Sequence, residues 1–293
     1  MKTTFMFPGQ GSQYVGMGKE LYDNYDIAKE VFKKVKNILG DNFLEMVFYG
    51  SNEELTKTEN AQPAIYAVSV ASLEVIRDKN LYSADICFGH SLGEFTALYC
   101  SGVFSFEYGL KLTRIRGEIM SSAKKGSMAA VIGLDETKLK EIISKYDNLV
   151  IANYNSPEQL VISGDINELK TVVEEIKNHA KRVIQLNVSG AFHSPLMEEA
   201  SREFSKYIKK EELNEPKIPI ISNSTGEIVY NLDSLYEALI KQLRSPVLFT
   251  KMVDNAFKFG VRKFIEIGPS KVLSGLVKRI LKDYEIEILN FGS

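Results

Sequence analysis

Ser91 stands between two glycines in Gly89-His90-Ser91-Leu92-Gly93, the G-x-S-x-G spacing in which a strand turns sharply into a helix and lifts a serine oxygen clear of a sheet. The chemistry available to such an oxygen is nucleophilic attack on an acyl carbon. An apolar strand over residues 84–88 leads in and a helix over residues 92–100 leads out, which is the context the pattern demands. A serine that only caps the following helix is the plainer reading. Capping does not account for two flanking glycines, each of which costs backbone entropy.

A serine hydroxyl needs a base within hydrogen-bonding reach, and the chain has three histidines. His179 lies on a charged helix in Lys177-Asn178-His179-Ala180-Lys181-Arg182 and reads as solvated; His90 adjoins Ser91, and adjacent side chains on a tight elbow diverge. Elimination leaves His193, in a loop after a strand, followed by Ser194-Pro195 as a cap and first-turn proline. The positive end of that helix is expected to disfavour the imidazolium and keep the base neutral. A histidine that merely caps or packs there is the alternative.

A tetrahedral intermediate needs backbone N–H donors. Leu92, directly after the nucleophile, supplies one by the geometry of the elbow, and the glycine-rich Gly9-Gln10-Gly11 loop after the first strand is the candidate for the other. That loop is not a nucleotide site by spacing: Tyr14 occupies the place of the third glycine of a dinucleotide fingerprint, and Gly18-Lys19 is followed by Glu20 where a phosphate loop requires serine or threonine.

Arg116 falls inside an apolar helical stripe. At ~100° per residue, Leu112, Ile115, Ile119 and Ala123 share one face of a helix from Leu110 to about Ala123; Arg116 lies within it while Arg114 points away. A buried guanidinium requires an acceptor, either an internal Asp or Glu or a ligand carboxylate. If a ligand, bidentate pairing would separate a malonyl group from an acetyl group, which leaves the cation without a partner.

These residues need a scaffold, and the pattern of the chain supplies one. Strands alternate with helices through residues 3–7, a helix from Met17 onward, a helix at 61–79 and the strand at 84–88, arguing for a mostly parallel sheet with helices on both faces. Between 125 and 189 the rhythm changes to strand 128–132, helix 136–146, strand 149–153, strand 160–163, helix 166–179 and strand 183–188, the β-α-β-β-α-β order of a ferredoxin-like unit. The main pattern then resumes with a helix from Pro195, a strand at 218–222, helices near 234–243 and 247–259, a strand at 263–267 and a last helix. The expected organisation is an α/β core, residues 1–124 and 190–293, carrying an inserted ferredoxin-like subdomain, residues 125–189.

With 293 residues, 44% apolar and 25% charged residues and a net charge of -2, the chain has the composition of an ordinary soluble enzyme, with no basic field to attract nucleic acid and no stretch suited to a membrane. Cys87 and Cys100 read as buried free thiols, and neither a metal nor another cofactor is called for.

Taken together, Phe7-Pro8-Gly9-Gln10-Gly11-Ser12-Gln13, Gly89-His90-Ser91-Leu92-Gly93-Glu94, Arg116-Gly117, Asn153-Tyr154-Asn155-Ser156-Pro157, Gly190-Ala191-Phe192-His193-Ser194 and Glu266-Ile267-Gly268-Pro269 resemble, in order and over nearly the whole chain, the malonyl-CoA:acyl carrier protein transacylases, which are similar to the acyltransferase domains of polyketide synthases. The resemblance implies a hydrolase-like parallel-sheet core with the ferredoxin-like insert and an active site between them. It implies a Ser91–His193 dyad, an oxyanion hole from the backbone N–H groups of Gln10 and Leu92, Arg116 as the carboxylate-binding residue, and a main-chain carbonyl at Gln242 orienting the histidine. Phe192 looks like the malonyl-selecting residue of polyketide relatives. The implied reaction is ping-pong transfer of malonyl from malonyl-CoA to the phosphopantetheine thiol of a holo acyl carrier protein. A cytoplasmic setting is expected from the short apolar N-terminal run, a monomer from the want of an interface signal, and a supply to fatty acid synthesis from the want of fused modules. The rivals are a thioesterase or other serine hydrolase, a trans-acting polyketide-synthase acyltransferase, and a non-catalytic carrier-docking module, for which an intact Ser91 and His193 would be superfluous.

Overall fold

The computed structural model describes residues 1–123 and 126–293; the boundary expected between 124 and 125 lies outside the described residues. The chain opens with β1 (Lys2–Phe7), whose Phe5, Met6 and Phe7 are all buried, as a parallel strand covered on both faces must be. Four helices follow, α1 (Lys19–Asn24), α2 (Asp26–Leu39), α3 (Asp41–Tyr49) and α4 (Asn52–Thr56), then the long α5 (Thr58–Asp78), buried from Ala61 to Leu73. β2 (Ile86–Gly89) leads into α6 (Gly93–Cys100), and α7 (Phe106–Ser122) packs against α5. That packing is close because two glycines allow it: a Cβ on Gly117 would lie 2.7 Å from the Glu59 Cα, and one on Gly109 would lie 2.2 Å from the Tyr66 hydroxyl.

Next come β3 (Gly126–Ile132), α8 (Glu136–Ile143), β4 (Leu149–Ser156), β5 (Gln159–Asp165), α9 (Ile166–Ile176) and β6 (Arg182–Gln185). These strands form an antiparallel sheet of order β4-β5-β3-β6, with its own apolar core from Ala129 and Val131 to Val172 and Ile176. The remainder is α10 (Glu198–Ser205), β7 (Ile220–Ile221), β8 (Ile228–Val229), α11 (Leu232–Leu239), α12 (Phe249–Lys258), β9 (Val261–Ile267), α13 (Val272–Ile280) and β10 (Glu287–Phe291). The large sheet has the order β10-β9-β1-β2-β7-β8, parallel throughout except for the β7–β8 hairpin. The parallel core and the antiparallel sheet are therefore as the sequence suggests. Val247 joins them, exchanging backbone bonds with Ala152 at 2.8 Å and Tyr154 at 2.9 Å.

Several expectations need correction. The helix expected near 234–243 ends at Leu239, and a separate 3-10 turn, Gln242–Arg244, follows. The helix expected from Pro195 begins as a 3-10 turn, Pro195–Met197, before α10. β6 stops at Gln185, leaving Leu186, Asn187 and Val188 to line a cleft. The buried stripe of α7 runs through Leu112, Thr113, Arg116, Gly117 and Met120, while Ile115 and Ile119 are half-buried. Strand β10 and helices α2 to α4 had no counterpart in the sequence reading. Cys87 and Cys100 are free and buried. Among the described residues no helix is long and apolar enough to cross a membrane.

Candidate active site

The elbow is built by crowding. β1 and β2 run side by side with Phe7 opposite Gly89, and the His90 N–H donates to the Phe7 carbonyl at 3.0 Å. A Cβ on Gly89 would fall 2.0 Å from the Gly93 carbonyl carbon, and one on Gly93 2.0 Å from the Phe7 carbonyl oxygen. The flanking glycines are thus required by close backbone approach, and Ser91 itself takes the left-handed conformation, with φ 52°. His193 has φ 58°, and Asn80 is the other non-glycine residue in this region among the described residues. Such conformations cost about 1–3 kcal/mol each and persist where surrounding contacts over-determine them.

Those contacts also hold the expected base. The Ser91 Oγ and His193 Nε2 are 2.8 Å apart. On the other side of the ring, Nδ1 lies 3.1 Å from the Gln242 carbonyl and 3.0 Å from the Ser245 carbonyl. Carbonyl oxygens only accept, so the proton sits on Nδ1 and Nε2 is free to receive the serine proton. Burial, then the Arg116 charge and His90, push the His193 imidazole down to about 3. His193 is thus neutral through burial and a neighbouring cation, not through the helix end that the sequence pointed to; the adjoining helical turn has only three residues. The 3-10 turn at Gln242–Arg244 aims both carbonyls, and the extended Ser245 before Pro246 is the kind of residue a following proline enforces.

Arg116 is 1% exposed and, among the described residues, meets no carboxylate directly. Its Nη1 donates to Gln62 Oε1 at 2.8 Å, its Nε and Nη2 to Gln242 Oε1 at 3.2 and 3.0 Å, and Nη2 also to the Ser91 Oγ at 3.1 Å. Two neutral amides occupy the place where an internal acid was one of the two expected partners. The nearest negative group is the buried Glu94, reached through the Gln242 carboxamide, whose Nε2 donates to Glu94 and, at 3.0 Å, to the Ser91 carbonyl. Burial pushes the guanidinium down to about 9, with Glu94 opposing, so it stays charged at neutral pH. Burial likewise raises the Glu94 carboxyl, against donation from Asn223 and Gln242. Arg114, two residues away, is half-buried and pairs with Glu118 at 2.6 Å.

Ser91 and His193 open onto a cleft of about 370 Å³ between the large sheet and the small one. Gly9, Gln10 and Gly11 form one rim, close against the elbow: a Cβ on Gly9 would lie 2.3 Å from the His90 carbonyl oxygen. Neither the Gln10 nor the Leu92 backbone N–H has an acceptor among the described residues. β3, β4 and β5 contribute Met128, Ala130, Asn153, Asn155, Gln159 and Val161 to the facing wall, with Phe192 and Met120 nearby. His90 turns away from Ser91 and bonds Asn155 Oδ1 at 2.8 Å, and His179 is exposed. The structure therefore brings Gln10, Ser91, Leu92, Arg116, His193 and Gln242 around one point. Sequence reasoning missed Gln62, Ser245, Asn223 and the carboxamide of Gln242. Glu94 was in the quoted motif, one turn beyond Ser91, without a role.

The acyl transferase domain family model matches residues 4–289. The malonyl CoA-acyl carrier protein transacylase of Bacillus subtilis is 42% identical over 287 residues, covering 95% of this chain and 90% of that relative. The solved malonyl-CoA:ACP transacylase of Synechocystis sp. PCC 6803 superposes with a TM-score of 0.94 at 39% identity, covering all of this chain and 98% of that one. A malonyl-transacylase solved in complex with its type II PKS acyl-carrier protein superposes with a TM-score of 0.92 at 32% identity, over 99% of this chain and 95% of that one.

Proposed function

The chain belongs to the acyl transferase domain family, and on that premise we propose that Ser91 and His193 form the dyad of a malonyl-CoA:acyl carrier protein S-malonyltransferase. The observation that carries the reading is one oxygen with two neighbours: Ser91 Oγ is 2.8 Å from a neutral imidazole nitrogen and 3.1 Å from the buried guanidinium of Arg116.

In the first half-reaction Ser91 Oγ bonds to the thioester carbon of malonyl-CoA while its proton passes to His193 Nε2. The tetrahedral oxyanion takes the open N–H groups of Gln10 and Leu92. As the intermediate collapses, the C–S bond breaks, the proton on Nε2 goes to the departing coenzyme A sulfur, and malonyl-serine remains. The carrier's phosphopantetheine thiol then gives its proton to Nε2 and its sulfur to the same carbon, and Ser91 leaves with the proton returned. The Gln242 and Ser245 carbonyls keep the ring in the required tautomer throughout and stabilise the imidazolium when it forms. Arg116 holds the malonyl carboxylate, which replaces neutral amide acceptors with a charged one.

The domain division at 1–124 and 190–293 against 125–189 is supported by the two separate strand sets. We place the enzyme in the cytoplasm, in keeping with its two free thiols, as a monomer supplying fatty acid synthesis. The test is turnover of malonyl-CoA with and without holo acyl carrier protein. Malonyl should appear on the carrier, with little release to water in its absence; carrier-independent production of free malonate would make the protein a thioesterase.

A further inference from the structure

We infer that Asn223 is a positioning residue for this reaction, holding the nucleophile's backbone in its left-handed conformation by a two-point clamp. The inference rests on the reading of Ser91 as the nucleophile. Asn223 lies in the turn between β7 and β8 and is fully buried. Its Oδ1 accepts the Ser91 N–H at 2.7 Å, and its Nδ2 donates to the Gly89 carbonyl at 2.7 Å. Both partners are main-chain groups of fixed polarity, so the amide has one orientation only. The Asn223 N–H donates to Glu94 Oε1 at 2.9 Å, and its carbonyl accepts the Leu248 N–H at 2.9 Å. All four hydrogen-bonding functions of the residue are used, three of them on the segment from 89 to 94.

The physical need is specific. At φ 52° the Ser91 N–H cannot enter the ladder of β2 or the turns of α6, and a buried donor without an acceptor is strongly disfavoured. Asn223 meets that donor and ties the residue two positions earlier to the same carboxamide, fixing the elbow on both sides of His90. Asn223 is not among the residues lining the cleft, so the Ser91 N–H is committed away from it. The next N–H, that of Leu92, is left open to an oxyanion. Glu94 completes the arrangement: one oxygen holds the Asn223 backbone and the other holds Gln242, whose carbonyl in turn orients His193. Alanine removes both bonds to the elbow. Aspartate keeps an acceptor for Ser91 but offers a donor to Gly89 only when protonated.

The experiment measures the rate of malonyl-serine formation from malonyl-CoA by rapid quench and intact mass, for the wild type, Asn223→Ala, Asn223→Asp and the Ser91→Ala control. For Asn223→Ala the acylation rate should fall about 10²-fold, as for a displaced nucleophile, with KM within about threefold and far-UV circular dichroism unchanged. In Asn223→Asp the new carboxyl is buried beside the Gly89 carbonyl and Glu94, which raises its pKa above that of an exposed aspartate. Its acylation rate should therefore recover toward the wild-type rate as pH falls from 8 to 5, over a range where the wild type does not change. A folded Asn223→Ala that acylates within threefold of the wild type overturns the inference, as does an Asn223→Asp without that recovery. Should Asn223→Ala not fold, the aspartate profile decides alone. A wild type that takes up no malonyl overturns the nucleophile reading itself, whereas a labelled wild type matched by Asn223→Ala overturns this inference only.

Discussion

The two walls of the cleft treat their polar atoms differently. On the large-sheet side, half-buried Ser91 and buried Glu94, Arg116, His193, Asn223 and Gln242 form one network in which each side chain has its partners. On the small-sheet side, β4 presents Asn153 with a buried Oδ1 that has no partner among the described residues, on a wall that also carries apolar Met128, Ala130 and Val161. The difference separates two tasks. One wall holds the proposed reacting groups at fixed distances before substrate arrives, which is what electrostatic preorganisation requires. The other supplies shape and leaves acceptor capacity open for a bound molecule.

If that division holds, substitutions on the first wall lower the chemical step and those on the second change binding modestly. Ser91→Ala should abolish acyl transfer, by about 10⁴-fold or more in kcat, measured by carrier malonylation. His193→Ala should slow acylation by roughly 10²- to 10⁴-fold, the usual range for loss of a general base, read by rapid quench. Arg116→Ala should lower kcat/KM for malonyl-CoA by about 10²-fold and that for acetyl-CoA by much less, comparing the two donors in one assay. Asn153→Ala should raise KM by less than about tenfold with kcat held, since it breaks no bond that positions the dyad; a 10²-fold loss of kcat there would break the comparison. The smallest effect is an absence of one. His193 must be neutral to act, and with its imidazole pushed down to about 3, the wild-type acylation rate should stay flat as pH falls from 8 to 5. An ordinary imidazole would lose half the rate near pH 6.5.

The same contrast marks what the sequence could tell. Ser91, His193 and the burial of Arg116 were legible because each breaks a local rule: a serine between two glycines, a histidine at a loop end, a cation on an apolar stripe. The antiparallel unit was legible too, since its strands and helices alternate at plain periods. Asn223 was not, because an asparagine in a turn is what any turn contains, and its role depends on β7 lying beside β2. Gln62 and the Gln242 carboxamide were hidden likewise, since periodicity shows that Arg116 is buried but not that amides would receive it. β10 was missed because its apolar residues are short in run and half-buried at the sheet edge. The glycines flanking Ser91 mark a sharp turn there, whereas the left-handed φ of His193 belongs to tertiary packing and no neighbour in sequence announces it.

On the proposed reading, Ser91 Oγ carries the acyl group and Arg116 selects it. Intact mass after brief exposure to malonyl-CoA, beside Ser91→Ala, Arg116→Ala and an acetyl-CoA control, tests both at once. Expected are one added malonyl on the wild type, none on Ser91→Ala, a much reduced fraction on Arg116→Ala, and no stable adduct from acetyl-CoA. A malonyl adduct that persists on Ser91→Ala, or equal labelling by acetyl-CoA and malonyl-CoA, would contradict it.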